Sequence, residues 1–239
     1  MIELTLIISQ FFVLFLIFSF PITPHINNFY LRKYNFDIYN VFCFNIIINL
    51  NIYLIVSIFV SNIQLLFLIN LGLAILFLFF NIKKNIFYFR SLDWKLLFLF
   101  FLINVSFFTS LAEDPRLNWD GVVQWLPKAT TYFQGLGFTD VGAHTYPHLG
   151  GFLWGYFWKN SFIEKEYIGR FFYVFFYVIS IFSLTSYLKK VKKISFSIIV
   201  GFLIFILSLT YDRFLFGGYQ DVLLFSLLLI ISKFLYLII

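Results

Sequence analysis

Two aspartates, Asp120 and Asp221, are the side chains whose surroundings best suit chemistry in this 239-residue chain. Asp120 lies in the run Asn118-Trp-Asp-Gly-Val-Val-Gln-Trp-Leu-Pro-Lys-Ala129, and Asp221 follows the paired glycines Gly217 and Gly218 closely. Such a carboxylate can face a ligand and serve in catalysis, and paired glycines permit close approach of the backbone. Each aspartate also has an ordinary explanation. Asp120 can be a solvated carboxylate on a surface helix, and Asp221 can start a helix, where negative charge is favoured.

Two histidines, His144 and His148, are four residues apart, and histidines at such short spacing can serve as metal ligands. Pro147 lies between them and disfavours a regular helix, and no third ligand is close in sequence. The sequence therefore favours a surface turn with two incidental histidines. The single cysteine, Cys43, excludes a disulfide within the chain.

The composition decides which solvent these residues meet. Hydrophobic residues make up 62% of the chain and charged residues 12%, with a mean hydropathy of +0.93. Soluble domains have about 25% charged residues, and a water-soluble fold of this size cannot bury so many apolar side chains. The sequence predicts an all-α membrane protein in contact with the lipid bilayer. A soluble enzyme, a nucleic-acid-binding protein and a disordered tail are excluded.

Segments of about 20 apolar residues can cross a bilayer as helices, and the chain contains seven of them. They cover residues 3–20, 38–60, 62–81, 95–112, 167–188, 194–211 and 219–239. An apolar piece at 149–158 is too short to span, so we predict an interfacial or re-entrant helix there. After Pro115, apolar residues recur at helical spacing, which predicts an amphipathic helix at the membrane surface with a break at Pro127.

The basic residues set the predicted orientation, because they concentrate in cytoplasmic loops. With the densest cluster, Lys189–Lys193, in the cytoplasm, the N-terminus and the long loop 113–166 lie outside. Most of the eleven acidic residues then fall at the outer face, either because the longest loop is there or because a polar site is. Lys233, near the inner end of the last span, is expected to extend to the interface. By composition the chain divides into three membrane helices, 1–94, and a core, 95–239.

Several motifs together resemble the GT-C superfamily of integral-membrane glycosyltransferases. Besides the runs around Asp120 and Asp221, they are Tyr146-Pro-His-Leu-Gly150 and Glu166-Tyr-Ile-Gly-Arg170. The superfamily includes aminoarabinose lipid A transferases and protein O-mannosyltransferases, which take sugars from polyprenyl-phosphate donors. The resemblance covers roughly residues 95–225, about half of the chain.

The resemblance implies a site at the outer face of a bacterial inner membrane. Asp120 would accept the proton of an acceptor hydroxyl, or orient it, during attack on the anomeric carbon with inversion. Asp221 would be the second acidic residue, paired with an arginine or holding a divalent metal together with Asp120, since some branches use a metal and others do not. The substrate and its phosphate would be bound by basic and aromatic side chains: Arg170, Arg213, Lys128, Tyr146 and His148.

Two features depart from the family pattern. Three helices precede the family's usual first span, and the sequence ends at Ile239 within an apolar run, where family members continue. We therefore expect the N-terminal half of such an enzyme. Two alternatives stay open: a non-catalytic subunit of a split enzyme whose remaining helices come from a second polypeptide, and a transporter of lipid-linked sugars. Charges inside spans mark transport pathways, and the first six spans contain almost none.

Overall fold

A computed structural model describes residues 2–19, 38–59, 62–80, 93–141, 147–192, 195, 198–203, 217–218 and 220–238. Within these ranges the secondary structure is helical, with no β-strand. The helices are α1 (Ile2–Ser19), α2 (Ile38–Phe59), α3 (Ile63–Phe80), α4 (Trp94–Glu113), α5 (Leu126–Phe133), α6 (Leu149–Lys159), α7 (Glu166–Gly169), α8 (Phe171–Lys192) and α9 (Asp221–Ile238). A π-helical turn, Gly121–Trp125, leads into α5, and a 3-10 turn, Phe138–Asp140, follows it. Residues 198–203 are also helical.

Among the residues that the structure describes, two helical segments are long and apolar enough to cross a membrane. They are Trp94–Glu113, which is α4, and Glu166–Thr185, which joins α7 to most of α8. Three shorter apolar segments lie at Glu3–Phe18, Phe42–Val56 and Ile63–Leu76. The sequence predicted seven spans, and most of the sixth, 194–211, lies outside the described residues. The structure supports an all-helical protein with two candidate spans.

Helix α8 is the centre of the bundle. Every described side chain from Phe171 to Phe182 is buried, which is the expected position for a helix that is hydrophobic on all faces. Aromatic rings join it to its neighbours: Phe108 of α4 stacks on Phe171 at 4.2 Å, and Phe157 of α6 stacks on Phe172 at 5.2 Å. Helices α2, α4 and α9 pack along it, and α1 packs on α2, α3 and α4.

Four contacts place several helix ends at one end of the bundle, here named the loop end because residues 114–141 and 147–165 form it. Tyr167 donates to Glu3 Oε1 at 2.9 Å, which brings the starts of α1 and α7 together. Asn160 donates to the carbonyl of Ile63, the first residue of α3, at 3.4 Å. Arg170 binds the backbone just after α4, and Asn118 binds the backbone that leads to α9. The helices therefore present alternate ends to this surface.

The short apolar piece and the amphipathic piece of the long loop are both helical. Helix α6, Leu149–Lys159, is buried within the protein along nearly its whole length. Pro127 lies in the first turn of α5, where a missing N–H does no harm. The residues just before α5 leave apolar side chains exposed: Trp119, Val122 and Val123. Residues 119–133 are helical without interruption, and α5 begins directly after the π-helical turn, so no non-helical residue marks the predicted break at Pro127.

The expectation that Lys233 extends to the membrane interface is wrong. Its side chain is buried and turns into the bundle, where its ammonium donates to Asn40 Oδ1 of α2 and to the carbonyl of Ser183 on α8. The hydroxyl of Ser183 accepts a further bond at 2.6 Å. Lys233 therefore joins α9 to α2 and α8, where these acceptors bind its ammonium.

Candidate functional site

Asp120 and Asp221 line the same cavity, which has a volume of about 420 Å³ and is here named the aspartate cavity. It opens at the loop end, between the π-helical turn, the start of α6 and the start of α9. Its lining residues are Asp120, Gln124, Trp125, Pro147, Leu149, Gly150, Gln220, Asp221, Leu223, Leu224 and Leu227. Two carboxylates separated by about 100 residues in the sequence thus reach one space.

Glycines bring the two aspartate-bearing segments together. The N–H of Asn118 donates to the carbonyl of Gly217 at 2.9 Å. A Cβ at Gly121 would lie 2.4 Å from that same carbonyl oxygen, and Gly218 has a φ of 97°. Any larger residue at Gly121 would push the two backbones apart, so the glycines permit the approach that places Asp120 and Asp221 in one cavity.

Gln220 fixes the position of the starts of α6 and α9, which line the cavity. Its side-chain amide donates to the hydroxyl of Tyr173 on α8 at 3.0 Å, and that hydroxyl donates to the carbonyl of Gly150 at 2.6 Å. Gln220 lies so close over Gly150 that a Cβ there would lie 1.6 Å from its Oε1. The starts of α6 and α9 are therefore both bound to α8, which holds the cavity open at a defined width.

The cavity combines three kinds of surface. The carboxylates of Asp120 and Asp221 can accept protons or hydrogen bonds, and the amides of Gln124 and Gln220 can both donate and accept. Leucines of α9 form an apolar wall beside them. Sugar hydroxyls need the first two surfaces, whereas a lipid chain needs the third. Among the described lining residues there is no lysine or arginine.

The residues at the cavity offer few ligands for a metal. Within the described ranges, no group of three or more His, Cys, Asp or Glu side chains could hold a metal ion. Asp120 and Asp221 could provide two carboxylates, and Mg²⁺ is often bound by one or two carboxylates together with water and substrate phosphate. A divalent ion that enters with its phosphate substrate fits these residues, whereas a site formed by protein ligands alone does not.

Arg170, expected to bind a phosphate, lies away from the cavity. Its side chain is fully buried, and its Nε is 2.8 Å from Glu166 Oε1 in an ion pair. One terminal nitrogen donates to Glu166 Oε2 at 3.0 Å and to the carbonyl of Pro115 at 2.6 Å. The guanidinium is therefore bound by protein acceptors, and the structure does not bring it to the aspartates.

Lys128 and His148 each lie against an aromatic ring. The ammonium of Lys128 is 5.0 Å from the ring centroid of Trp125, and Trp125 itself lines the cavity. Burial lowers the pKa of Lys128. The ring of His148 packs edge-on against Phe138 at 4.1 Å, and its carbonyl accepts the N–H of Phe152 at the start of α6. Neither residue is among those that line the aspartate cavity. Tyr146, Arg213 and His144 lie outside the described residues.

Three residues of the site were not singled out from the sequence as functional. Gln124 lies one turn after Asp120, on the polar face of the predicted amphipathic helix, so its spacing could have indicated that it lies beside Asp120. Gln220 directly precedes Asp221. Tyr173 lies within an apolar helix and had no such signal. Comparison of the chain with known protein families and curated proteins, and of its fold with solved structures, gives no match.

Proposed function

We propose that this chain is a GT-C-type membrane glycosyltransferase, or the N-terminal part of one, that transfers a sugar from a polyprenyl-phosphate donor to an acceptor at the outer face. The observation that carries the proposal is that Asp120 and Asp221 line one cavity with an apolar wall. The order of the motifs along the chain is the second support. The proposal includes seven spans, with the N-terminus and residues 113–166 outside and Lys189–Lys193 in the cytoplasm.

In this mechanism Asp120 accepts the proton of the acceptor hydroxyl as its oxygen attacks the anomeric carbon. A new C–O bond forms on one face of the sugar, and the bond to the polyprenyl phosphate breaks on the other. The phosphate leaves with the electron pair, and the anomeric centre inverts. Asp221 orients the acceptor; where a divalent ion is bound, Asp120 and Asp221 would hold it and it would stabilise the negative charge of the leaving phosphate. Arg213, outside the described residues, stays the proposed partner of the leaving phosphate.

The exposed face of α9 supports a lipid-linked donor. Below the cavity, Leu224, Leu228, Ile231 and Leu235 are all exposed and recur at spacings of three and four residues, so they lie on one face of the helix. At about 1.5 Å per residue this face is about 16 Å long. An isoprenoid chain lying along it would leave its phosphate and sugar beside Asp221.

The test replaces Asp120 with asparagine in the full chain, purified into lipid nanodiscs, and measures transfer from polyprenyl-phosphate sugars. Loss of general-base assistance is expected to lower kcat by about 10²–10⁴-fold. Asp221→Asn is expected to lower it as well, because it removes the second carboxylate. Glu164→Gln is the matched control, since Glu164 is an exposed carboxylate of the same loop that does not line the cavity.

Two outcomes contradict the proposal. Transfer by Asp120→Asn at the wild-type rate removes Asp120 from the reaction. Absence of transfer by the wild-type chain, across donors and acceptors, in the presence of Mg²⁺ and of any co-purifying membrane subunit, favours a non-catalytic subunit instead.

A further inference from the structure

A buried ion pair lies beneath the loop end, between Glu166 and Arg170. Arg170 is 0% exposed, and its Nε and one terminal nitrogen engage the two oxygens of Glu166 at 2.8 and 3.0 Å. The pair lies one helical turn apart, at positions i and i+4. The Nε contact is an ion pair without hydrogen-bond geometry, whereas the terminal nitrogen donates both to Glu166 Oε2 and to the carbonyl of Pro115. A planar guanidinium presents its donors in a fixed fork, which a lysine cannot reproduce.

The same guanidinium holds the backbone that leads to Asp120. It donates to the carbonyl of Pro115 at 2.6 Å and to that of Arg116 at 3.4 Å. Residues 114–118 are not helical, and the carbonyls of Pro115 and Arg116 take the Arg170 side chain as their donor. Two residues after Arg116, the N–H of Asn118 binds Gly217 at 2.9 Å. Arg170 therefore binds the stretch of backbone that precedes Asp120 and that also contacts Gly217.

Trp154 connects the ion pair to the second segment. Its indole N–H donates to the main-chain carbonyl of Glu166 at 3.3 Å, and its ring centroid is 5.7 Å from the Arg170 guanidinium carbon. The far edge of the same ring contacts Gly218, where a Cβ would lie 3.0 Å from Trp154 Cη2. The segment before Asp120 thus contacts Arg170 directly, and the segment before Asp221 contacts Trp154, which packs on Arg170.

We propose that the Glu166–Arg170 pair positions Asp120 relative to Asp221, and that Arg170 is a positioning residue rather than a phosphate ligand. Removing two charges from water is costly, and apolar residues of the same volume often stabilise a protein equally well. What apolar residues cannot do is bind two specific carbonyls of an irregular segment. The catalytic consequence rests on the proposed glycosyltransferase function, whereas the geometric consequence does not.

The geometric test uses a cysteine pair across the contact. A Cβ at Gly217 would lie 2.9 Å from Asn118 Cγ, so cysteines at these two positions bring their Cβ atoms close to the separation of about 3.5–4.5 Å that a disulfide requires. The full chain carries Asn118→Cys and Gly217→Cys in a Cys43→Ala background, because Cys43 is the single native cysteine. We expect rapid disulfide formation under mild oxidation, slowed about tenfold or more by Arg170→Lys, since each factor of ten corresponds to about 1.4 kcal/mol of lost preference for the aligned geometry.

The matched control is Arg116→Gln. Arg116 lies in the same segment, and its side chain is exposed and pairs with Asp114, while its carbonyl stays available to Arg170. This variant is expected to form the disulfide at the unaltered rate. Equal rates in Arg170→Lys and in its parent overturn the proposal. Glu166→Gln is a second variant, expected to slow the reaction in the same direction because it releases the guanidinium.

The catalytic test is rescue by the disulfide. In the reduced state, Arg170→Lys is expected to lower kcat by about 10²-fold, the effect of a displacement of about 1 Å at a reacting group, with KM little changed. Oxidation of the cysteine pair in the same variant is expected to restore kcat, because the covalent bond replaces the lost clamp. A kcat that stays low after oxidation assigns Arg170 a direct role and overturns the proposal. If the parent transfers no sugar, the proposed function fails while the disulfide rates still decide whether the pair positions the two segments.

Discussion

Three glycines determine how closely the two aspartates approach each other. Gly121 faces the carbonyl of Gly217, and Gly218 adopts a φ of 97°, a region that other residues rarely occupy. A Cβ at Gly218 would also lie 2.9 Å from the Cα of Gly121. The backbone therefore has no room for a side chain at Gly121 or at Gly218, and the carboxylates can share one cavity for that reason.

We expect Gly218→Ala to destabilise the protein and widen the aspartate cavity. A strained backbone conformation costs about 1–3 kcal/mol, and the added methyl group also contacts Gly121 and Trp154. Thermal unfolding in detergent should therefore show a lower Tm. Gly72→Ala is the matched control, because a Cβ there meets nothing within 4 Å and alanine favours a helix by about 1 kcal/mol over glycine. A Tm for Gly218→Ala equal to that of the wild type would contradict the expectation.

The sequence predicted the position of some site residues and not of others. Asp120 and Gln124 could be assigned to a polar face from helical spacing, and both line the cavity. Arg170 could not be assigned from its charge, because a guanidinium binds a phosphate and a glutamate equally well. The spacing of four from Glu166 carried the missing information, since residues at i and i+4 on a helix are neighbours. Lys233 shows the same limit: its acceptors lie on helices far away in sequence.

At the scale of elements, the close packing of α6 against α5 depends on two glycines of α6. A Cβ at Gly155 would lie 2.5 Å from the carbonyl of Ala129, and one at Gly151 would lie 2.7 Å from the Cβ of Lys128. These glycines are four residues apart and face α5, an arrangement that lets two helices approach closely. The sequence predicted both helices from apolar spacing. It did not predict their contact, because which helices meet depends on the whole bundle.

The bonds between Lys233 and Ser183 are expected to couple α9 to α8. Ser183→Ala removes an acceptor at 2.6 Å from a buried ammonium, and loss of a bond to a buried charged group costs about 1.5–3 kcal/mol. In a Lys233→Met background the same substitution should cost much less, because the charge is gone. The difference, a coupling of about 0.5–3 kcal/mol, is measured by unfolding of the two single variants and the double variant.

Ser180→Ala provides the control for this cycle. Ser180 lies on the same helix and is also buried, but its hydroxyl donates to Tyr177 of its own helix at 2.7 Å. Its effect on stability should be the same with Lys233 and with Met at position 233. Equal costs for Ser183→Ala in both backgrounds would mean that the contact of Lys233 with Ser183 contributes nothing to the packing of α9.

At the scale of the whole molecule, hydropathy cannot separate a helix in lipid from a helix inside the protein. The two candidate spans show this directly, because 94% of the Glu166–Thr185 window is buried within the chain and only 28% of the Trp94–Glu113 window is. Both are equally suitable by length and composition. Counting apolar stretches in the sequence gave seven spans, whereas two helical segments of the described residues are long and apolar enough to cross a bilayer. Burial, which arises only from the assembled bundle, is the quantity that the sequence lacks.

The arrangement of helix ends gives a direct test of orientation. Glu3 contacts Tyr167, and Ile63 contacts Asn160, so the starts of α1, α3 and α7 share the loop end, which is proposed to face outward. Single cysteines in a Cys43→Ala background replace Phe162, at the loop end, or Ser195, two residues after the lysine cluster, and both positions are exposed. A membrane-impermeant maleimide added to intact spheroplasts should label the cysteine at 162 and should label that at 195 only after permeabilisation, because the basic cluster stays in the cytoplasm. Labelling of both positions from outside, or of position 195 alone, would show that the loop end and its two aspartates do not face outward in the proposed orientation.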